Sequence, residues 1–209
     1  MHIVKFILFF CFLNLAAHAQ TKEMTPAEIT AFKTEIAHRT DSYKTISGKF
    51  LQKKHLSFLA NDIQSSGNFF FSAPDKIKWA YKKPYPYSVV FKNNTLYIDD
   101  AGKKSNVDLS SNELFGKLNS LIASSINGEM LSNEEFNTSY AQNESVYRAH
   151  LLPTNSVVLK LFKEIVLSFD KEDFSIEEVK LIGPSGDYTQ ITFKELKINT
   201  TIDESVFKQ

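Results

Sequence analysis

Apolar side chains recur along this chain with two different periods, and the switches between them mark its elements. From Thr25 the period is helical. Thr25 suits the cap, Pro26 the first helical position and Glu28 the third, and Ile29, Phe32 and Ile36 form one stripe to about Asp41. From Thr45 the period drops to two. Ile46, Gly48, Phe50 and Gln52 alternate with Ser47, Lys49, Leu51 and Lys53, so the lysines mark the wet face. Between Asp62 and Ser72, Ile63, Ser65, Gly67, Phe69 and Phe71 share one face and Phe70 takes the other. After a Pro74-Asp75 turn come Ile77, Trp79 and Tyr81, then Tyr87, Val89 and Phe91, then an Asn93-Asn94 turn into Leu96 and Ile98. Turns this short leave no room for crossover helices, so these strands are antiparallel neighbours.

The helical period returns at Ser110 or Ser111. Leu114, Phe115, Leu118, Leu121 and Ile122 make a stripe to about Ile126, which Asn127-Gly128 ends, and a short further helix is expected over 132–136. Five more strands follow, over 138–142, 145–152, 164–169, 174–182 and 188–195, with turns at Asn143-Glu144, Lys171-Glu172-Asp173 and Ser185-Gly186-Asp187. The pattern predicts a mainly β chain of ten or eleven strands with two or three inserted helices. Strands with one apolar face curl into a barrel or half-barrel to bury it, and the helix stripes belong over the open mouth or concave face.

The first 19 residues stand apart. Lys5 precedes a short apolar run from Ile7 to Leu15, and Ala17-His18-Ala19 fits a small-x-small cleavage site, so an export signal cleaved after Ala19 is expected. Residues 20–209 then form a single exported domain. Cys11, the chain's one cysteine, lies inside the apolar run and leaves with it, so no disulfide is available and the core must hold the fold. Removing Lys5 from the balanced 24 basic and 24 acidic residues leaves a net charge of −1. That balance gives no electrostatic case for nucleic acid.

Chemistry is conspicuous by its absence. His38, His55 and His150 lack metal-ligand spacing, and no nucleophile elbow, phosphate loop or metalloprotease motif occurs. The Asp99-Asp100 and Glu134-Glu135 pairs diverge on a strand or helix and read as turn and cap residues. Neither an enzyme nor a cofactor nor a metal is expected. What the chain has in excess is Phe, 18 in all and 14 after the signal. Such rings either pack solid or line a cavity for apolar chains.

The stretches Ser47-Gly48-Lys49-Phe50-Leu51-Gln52-Lys53 and Ser66-Gly67-Asn68-Phe69-Phe70-Phe71-Ser72-Ala73-Pro74-Asp75-Lys76-Ile77-Lys78-Trp79 resemble the LolA family of periplasmic lipoprotein carriers. An F-x-Q strand, a Gly-led hydrophobic strand, a Pro turn and a Trp strand occur there in the same order. Tyr81, Pro84 and Asn94-Thr95-Leu96-Tyr97 extend the likeness, which covers residues 43–100 and continues beyond them mainly in the order of elements. The resemblance implies an incomplete antiparallel β-barrel closed by a lid of helices, with an interior that takes acyl chains. It implies a periplasmic carrier that receives acylated lipoproteins or other lipids from an inner-membrane release transporter and passes them to an outer-membrane acceptor. Related carriers of glycolipids or pigment esters, and a non-catalytic lipid-sensing module, are the alternatives. The cavity residues expected from the alternation are Ile46, Phe50, Phe69, Phe71, Ile77, Trp79, Tyr81, Val89, Phe91, Leu96 and Ile98. The lid residues are Phe32, Ile36, Leu114, Leu118, Leu121 and Ile122. Where the family often carries an Arg before the turn proline, this chain has Ala73. No heptad pattern calls for a dimer, so a monomer is expected.

Overall fold

Alternation dictates the architecture. In the computed structural model, which describes residues 21–109, 124, 129–132 and 134–208, the strands join into a single antiparallel sheet. In chain order they are β1 (Lys22–Glu23), β2 (Thr45–His55), β3 (Ile63–Ser72), β4 (Lys76–Lys83), β5 (Tyr87–Lys92), β6 (Thr95–Asp100), β7 (Lys103–Asp108), β8 (Phe136–Gln142), β9 (Val146–Pro153), β10 (Glu164–Asp170), β11 (Ile176–Ile182) and β12 (Tyr188–Ile198). Their spatial order is β1-β8-β9-β10-β11-β12-β2-β3-β4-β5-β6-β7. The join between β12 and β2 brings the two halves of the chain edge to edge. Among the described residues β1 and β7 are the edges of the sheet, so the barrel is open.

Helix α1 (Pro26–Thr40) lies on the apolar face of this sheet through Phe32 and Ile36, both nearly inaccessible to solvent. Its start is the predicted one. The Thr25 amide donates to Glu28 Oε2 at 2.8 Å, and the Glu28 amide donates to Thr25 Oγ1 at 3.3 Å, forming a capping box. The Thr25 amide and hydroxyl, with Lys22 and Gln142 also donating, hold the Glu28 carboxyl at about 2, against an ordinary 4.5. At the other end of the chain, the 3₁₀ turn Glu204–Phe207 lies against β4, where Lys78 Nζ donates to the Val206 carbonyl at 2.8 Å.

Two glycines let the sheet bend. A Cβ on Gly67 would sit 2.1 Å from the Ala80 carbonyl oxygen of β4, and one on Gly48 would sit 2.9 Å from that of Lys194 in β12. Each glycine adjoins an irregularity in register, at Ser66/Gly67 and at Lys194/Lys197. Close backbone approach at a bulge is where a sheet turns a corner. At the β5–β6 hairpin, Asn93 and Asn94 both adopt positive φ, 51° and 54°, as a tight two-residue turn requires.

Several expectations need correction. The described residues form twelve strands, not ten or eleven: β1 is a two-residue edge stub, and β7 is exposed along its whole length and so has no apolar period to read. The helix expected over 132–136 is instead a 3₁₀ turn, Glu129–Ser132, and Phe136 opens β8, pairing with Pro153. β11 begins at Ile176 instead of residue 174, and β12 runs on to Ile198 because a bulge lets it continue past Glu195. A short helix at Ser156–Leu159, capped by Asn155, is too brief to show a period in the sequence. The expected signal segment and the lid residues Leu114, Leu118, Leu121 and Ile122 lie outside the described residues.

Gly67→Ala is expected to cost about 1–3 kcal/mol through overpacking against the β4 backbone, read as a lower urea midpoint. Glu28 has a depressed folded-state pKa, so its stabilising contribution is complete above about pH 4.5 and is lost as pH falls towards 2. Glu28→Gln should therefore lower the melting temperature near neutral pH, and its deficit relative to wild type should shrink between pH 4.5 and 2.

Candidate functional site

Antiparallel register stacks the inward side chains of successive strands into rows. One row runs Ile198, Ile46, Phe71, Ile77, Phe91 and Leu96. The next joins Gly48, Phe69, Trp79, Val89 and Ile98, and a third joins Phe193, Phe50, Gly67, Tyr81 and Tyr87. All eleven residues expected to face inward therefore share one face. Ile46, Phe50, Phe69, Phe71, Ile77, Trp79 and Phe91 are buried in the core cluster, whereas Tyr81, Val89 and Leu96 pack against it half-exposed. Ile98 is half-exposed too, so the wall thins towards β7.

The wall is aromatic at its centre. Phe50 meets Trp79 and Tyr81 edge to face, each at 4.9 Å between ring centroids, and Phe69 meets Trp79 at 4.8 Å and Phe193 at 5.4 Å. Tyr81 and Tyr87 stack at 4.1 Å, and the Tyr81 hydroxyl donates to Gln52 Oε1 at 3.0 Å. Burial pushes both phenols above their usual range, that of Tyr81 furthest. These hydroxyls stay neutral, and the wall presents apolar surface with no fixed charge.

The other half of the inner face is covered by α1. Phe32 packs among Tyr140, Tyr147, Phe169 and Phe174, with centroids 4.8 to 6.5 Å away. Two clefts border the helix. One, of about 480 Å³, is lined by Phe32, Tyr147 and Phe174 with Glu28, Glu35 and Gln142; the other, of about 450 Å³, by His38, Arg39, Tyr43 and Asp173 among others. Neither is lined by the β2–β6 wall. Gln142 is buried yet satisfied, donating to Glu28 Oε1 at 2.8 Å and accepting from Lys171 Nζ at 2.7 Å.

The described residues on either side of the expected lid are buried. Leu109 before it and Met130 and Leu131 after it belong to the same cluster as the wall. Ala73 is exposed, and its amide donates to the Lys44 carbonyl at 2.8 Å, so that position serves the turn between β3 and β4. His55 and His150 sit half-exposed beside carboxylates, 2.7 Å from Asp62 and Glu164 respectively. Asp99 accepts from the Gly102 amide at 2.7 Å, a turn role as expected. Among the described residues no group of three His, Cys, Asp or Glu could hold a metal ion.

The residues left out of the sequence assignment are those of the second half of the sheet. Ile165, Leu167 and Phe169 of β10, Leu151 of β9 and Phe193 of β12 continue the same apolar face. Their alternation is present in the sequence. The family likeness over residues 43–100 confines the expected wall to the other half.

The fold has relatives. A 7% identical protein from Thermus thermophilus, described as an uncharacterized conserved protein, superposes with a TM-score of 0.51 over 86% of this chain and 93% of that one. A MucB structure, 10% identical, gives 0.51 over 88% and 63%. A curated outer-membrane lipoprotein carrier protein from Alkalilimnicola ehrlichii is 30% identical over 74 residues, a stretch that spans about a third of each chain (35%). The family model described as outer membrane lipoprotein carrier protein LolA matches residues 41–209, the whole span from α1's end to the last residue. The open sheet and its apolar inner face thus belong to a member of the LolA family.

Proposed function

We propose that this protein is a periplasmic carrier that shields the acyl chains of lipoproteins against the inner face of its sheet while ferrying them from the inner to the outer membrane. The observation that carries this reading is the continuous apolar wall of β2 to β6, without a fixed charge, in a chain of the LolA family. Exposure of an acyl chain to water costs about 0.8 kcal/mol per CH₂. A carrier must offset that cost without directional bonds that would hinder release, and an aromatic wall does so. Export through the leader cleaved after Ala19 would place the protein in the compartment that such cargo crosses. An inner-membrane release transporter and an outer-membrane acceptor complete the route. No catalytic step is assigned.

A second reading is carriage of another amphiphile such as a glycolipid or pigment ester, which Ala73 fits no worse. The family's frequent Arg at that position supplies a hydrogen-bond donor that an alanine methyl cannot, so closure would rest mainly on apolar contact.

Native mass spectrometry of protein purified after export from a Gram-negative host is expected to show carried-over lipid at one equivalent, whose mass identifies the cargo class. Phe71→Glu and Trp79→Glu, which put a charge on the wall, should each abolish uptake of a fluorescent fatty acid with only partial loss of folding. Leu51→Glu, on the outer face where Leu51 is 46% exposed, should leave uptake intact. Wild-type uptake by both wall variants would count against the wall as the binding surface.

A further inference from the structure

The large hydrophobic side chains that stay in water are not scattered. Eight are exposed among the described residues, and six of them, Phe58, Leu59, Ile63, Tyr85, Leu152 and Leu159, lie at one rim of the sheet. Register defines that rim: Lys54 pairs with Ile63, Ser66 with Lys83, Tyr188 with His55, and Glu164 with Ile182. Val107 lies towards the opposite rim, and Leu51 faces outward from β2.

The β2–β3 tip leads this rim. β3 runs three residues past the end of β4, so the tip overhangs, and Phe58 at its crest is 76% exposed. The tip is braced by hydrogen bonds. The Leu59 amide donates to the Leu56 carbonyl at 2.9 Å, and the Ser57 amide donates to Asp187 Oδ1 of the β11–β12 turn at 2.7 Å. Asp62 at its base pairs with Lys53 and His55 at 2.9 and 2.7 Å. Apolar side chains are therefore presented on a braced turn, against the tendency to bury them.

Lysines share this rim. Lys82, Lys83, Lys160 and Lys163 are exposed at the same rim and have no ion-pair partner among the described residues. The rim also carries carboxylates: Asp62 is engaged by Lys53 and His55, Asp187 by the Ser57 amide and Glu164 by His150. Asp99 accepts from the Gly102 amide and Glu135 from Asn155, while Asp100 and Glu134 are exposed at the neighbouring strand ends. The apolar anchors fall at three places, the β9–β10, β2–β3 and β4–β5 connections, within eight neighbouring strands, β9 through β5, an arc of about 33 Å at the usual strand spacing. A pocket on another protein engages a compact cluster, whereas a plane meets a whole rim at once.

We propose that this rim docks on an anionic phospholipid bilayer, Phe58 and Leu59 entering the interface while Lys82, Lys83, Lys160 and Lys163 face the phosphates. This goes beyond cargo carriage and does not depend on it, since the interior plays no part in the contact.

Co-sedimentation of the protein purified after export, with vesicles of phosphatidylcholine alone or mixed with phosphatidylglycerol, tests it. The wild type is expected to adsorb to the mixed vesicles, less at high salt, and weakly to the neutral ones. Phe58→Ser with Leu59→Ser, and separately Lys82→Glu with Lys83→Glu, should each weaken adsorption about tenfold or more. Both variants should keep the wild-type circular dichroism spectrum and fatty-acid uptake. Absence of wild-type adsorption, or equal adsorption by either variant, would overturn the proposal. So would binding only to vesicles that carry membrane proteins, an outcome assigning the rim to a protein partner.

Discussion

Everything in this structure depends on a sheet having one greasy face. Its strands alternate so that Ile46, Phe50, Phe69, Phe71, Ile77 and Trp79 point one way, while Lys49, Lys53, Phe70 and Lys78 point the other. A flat sheet of that kind would leave its apolar side in water. Curling at Gly48 and Gly67 turns the face inward, and α1 covers the half formed by β8 to β10. The hydrophobic effect sets the requirement, and two glycines without Cβ atoms make the bend possible.

The two faces of that arrangement suit different work. Inside, rings meet edge to face and polar atoms are few and paired, as in Tyr81 with Gln52. Such a surface would recognise length and bulk of hydrocarbon and little else. At the rim, Phe58 and Tyr85 stand in water beside exposed lysines, a combination suited to a charged, flat partner. Cargo and docking surface would then be read by separate parts of the molecule, so changes in one need not disturb the other.

Legibility in the sequence followed the strength of the period. The capping box at Thr25 and Glu28, the Asn93-Asn94 hairpin and the inward set of β2 to β6 could be read because local chemistry and alternation agree there. β7 could not: its six residues are all exposed and it is a strand only because it pairs with β6. Phe136 could not be assigned correctly either, since an isolated apolar residue after Glu134-Glu135 fits a helix end as well as a strand start. The continuation of β12 past Glu195 depends on a bulge, and Glu195 itself takes positive φ, which no periodicity announces. The join between β12 and β2 is a long-range pairing, invisible to any local pattern.

The central claim is that hydrocarbon chains occupy the space against the wall of β2 to β6. Trp79 is the chain's single tryptophan and stands in the middle row of that wall, so its fluorescence reports on the site alone. Titration with a fatty acid brominated along its chain is the most direct measurement. Quenching of Trp79 that saturates at one equivalent is the predicted result; undiminished emission at saturating ligand would contradict the account.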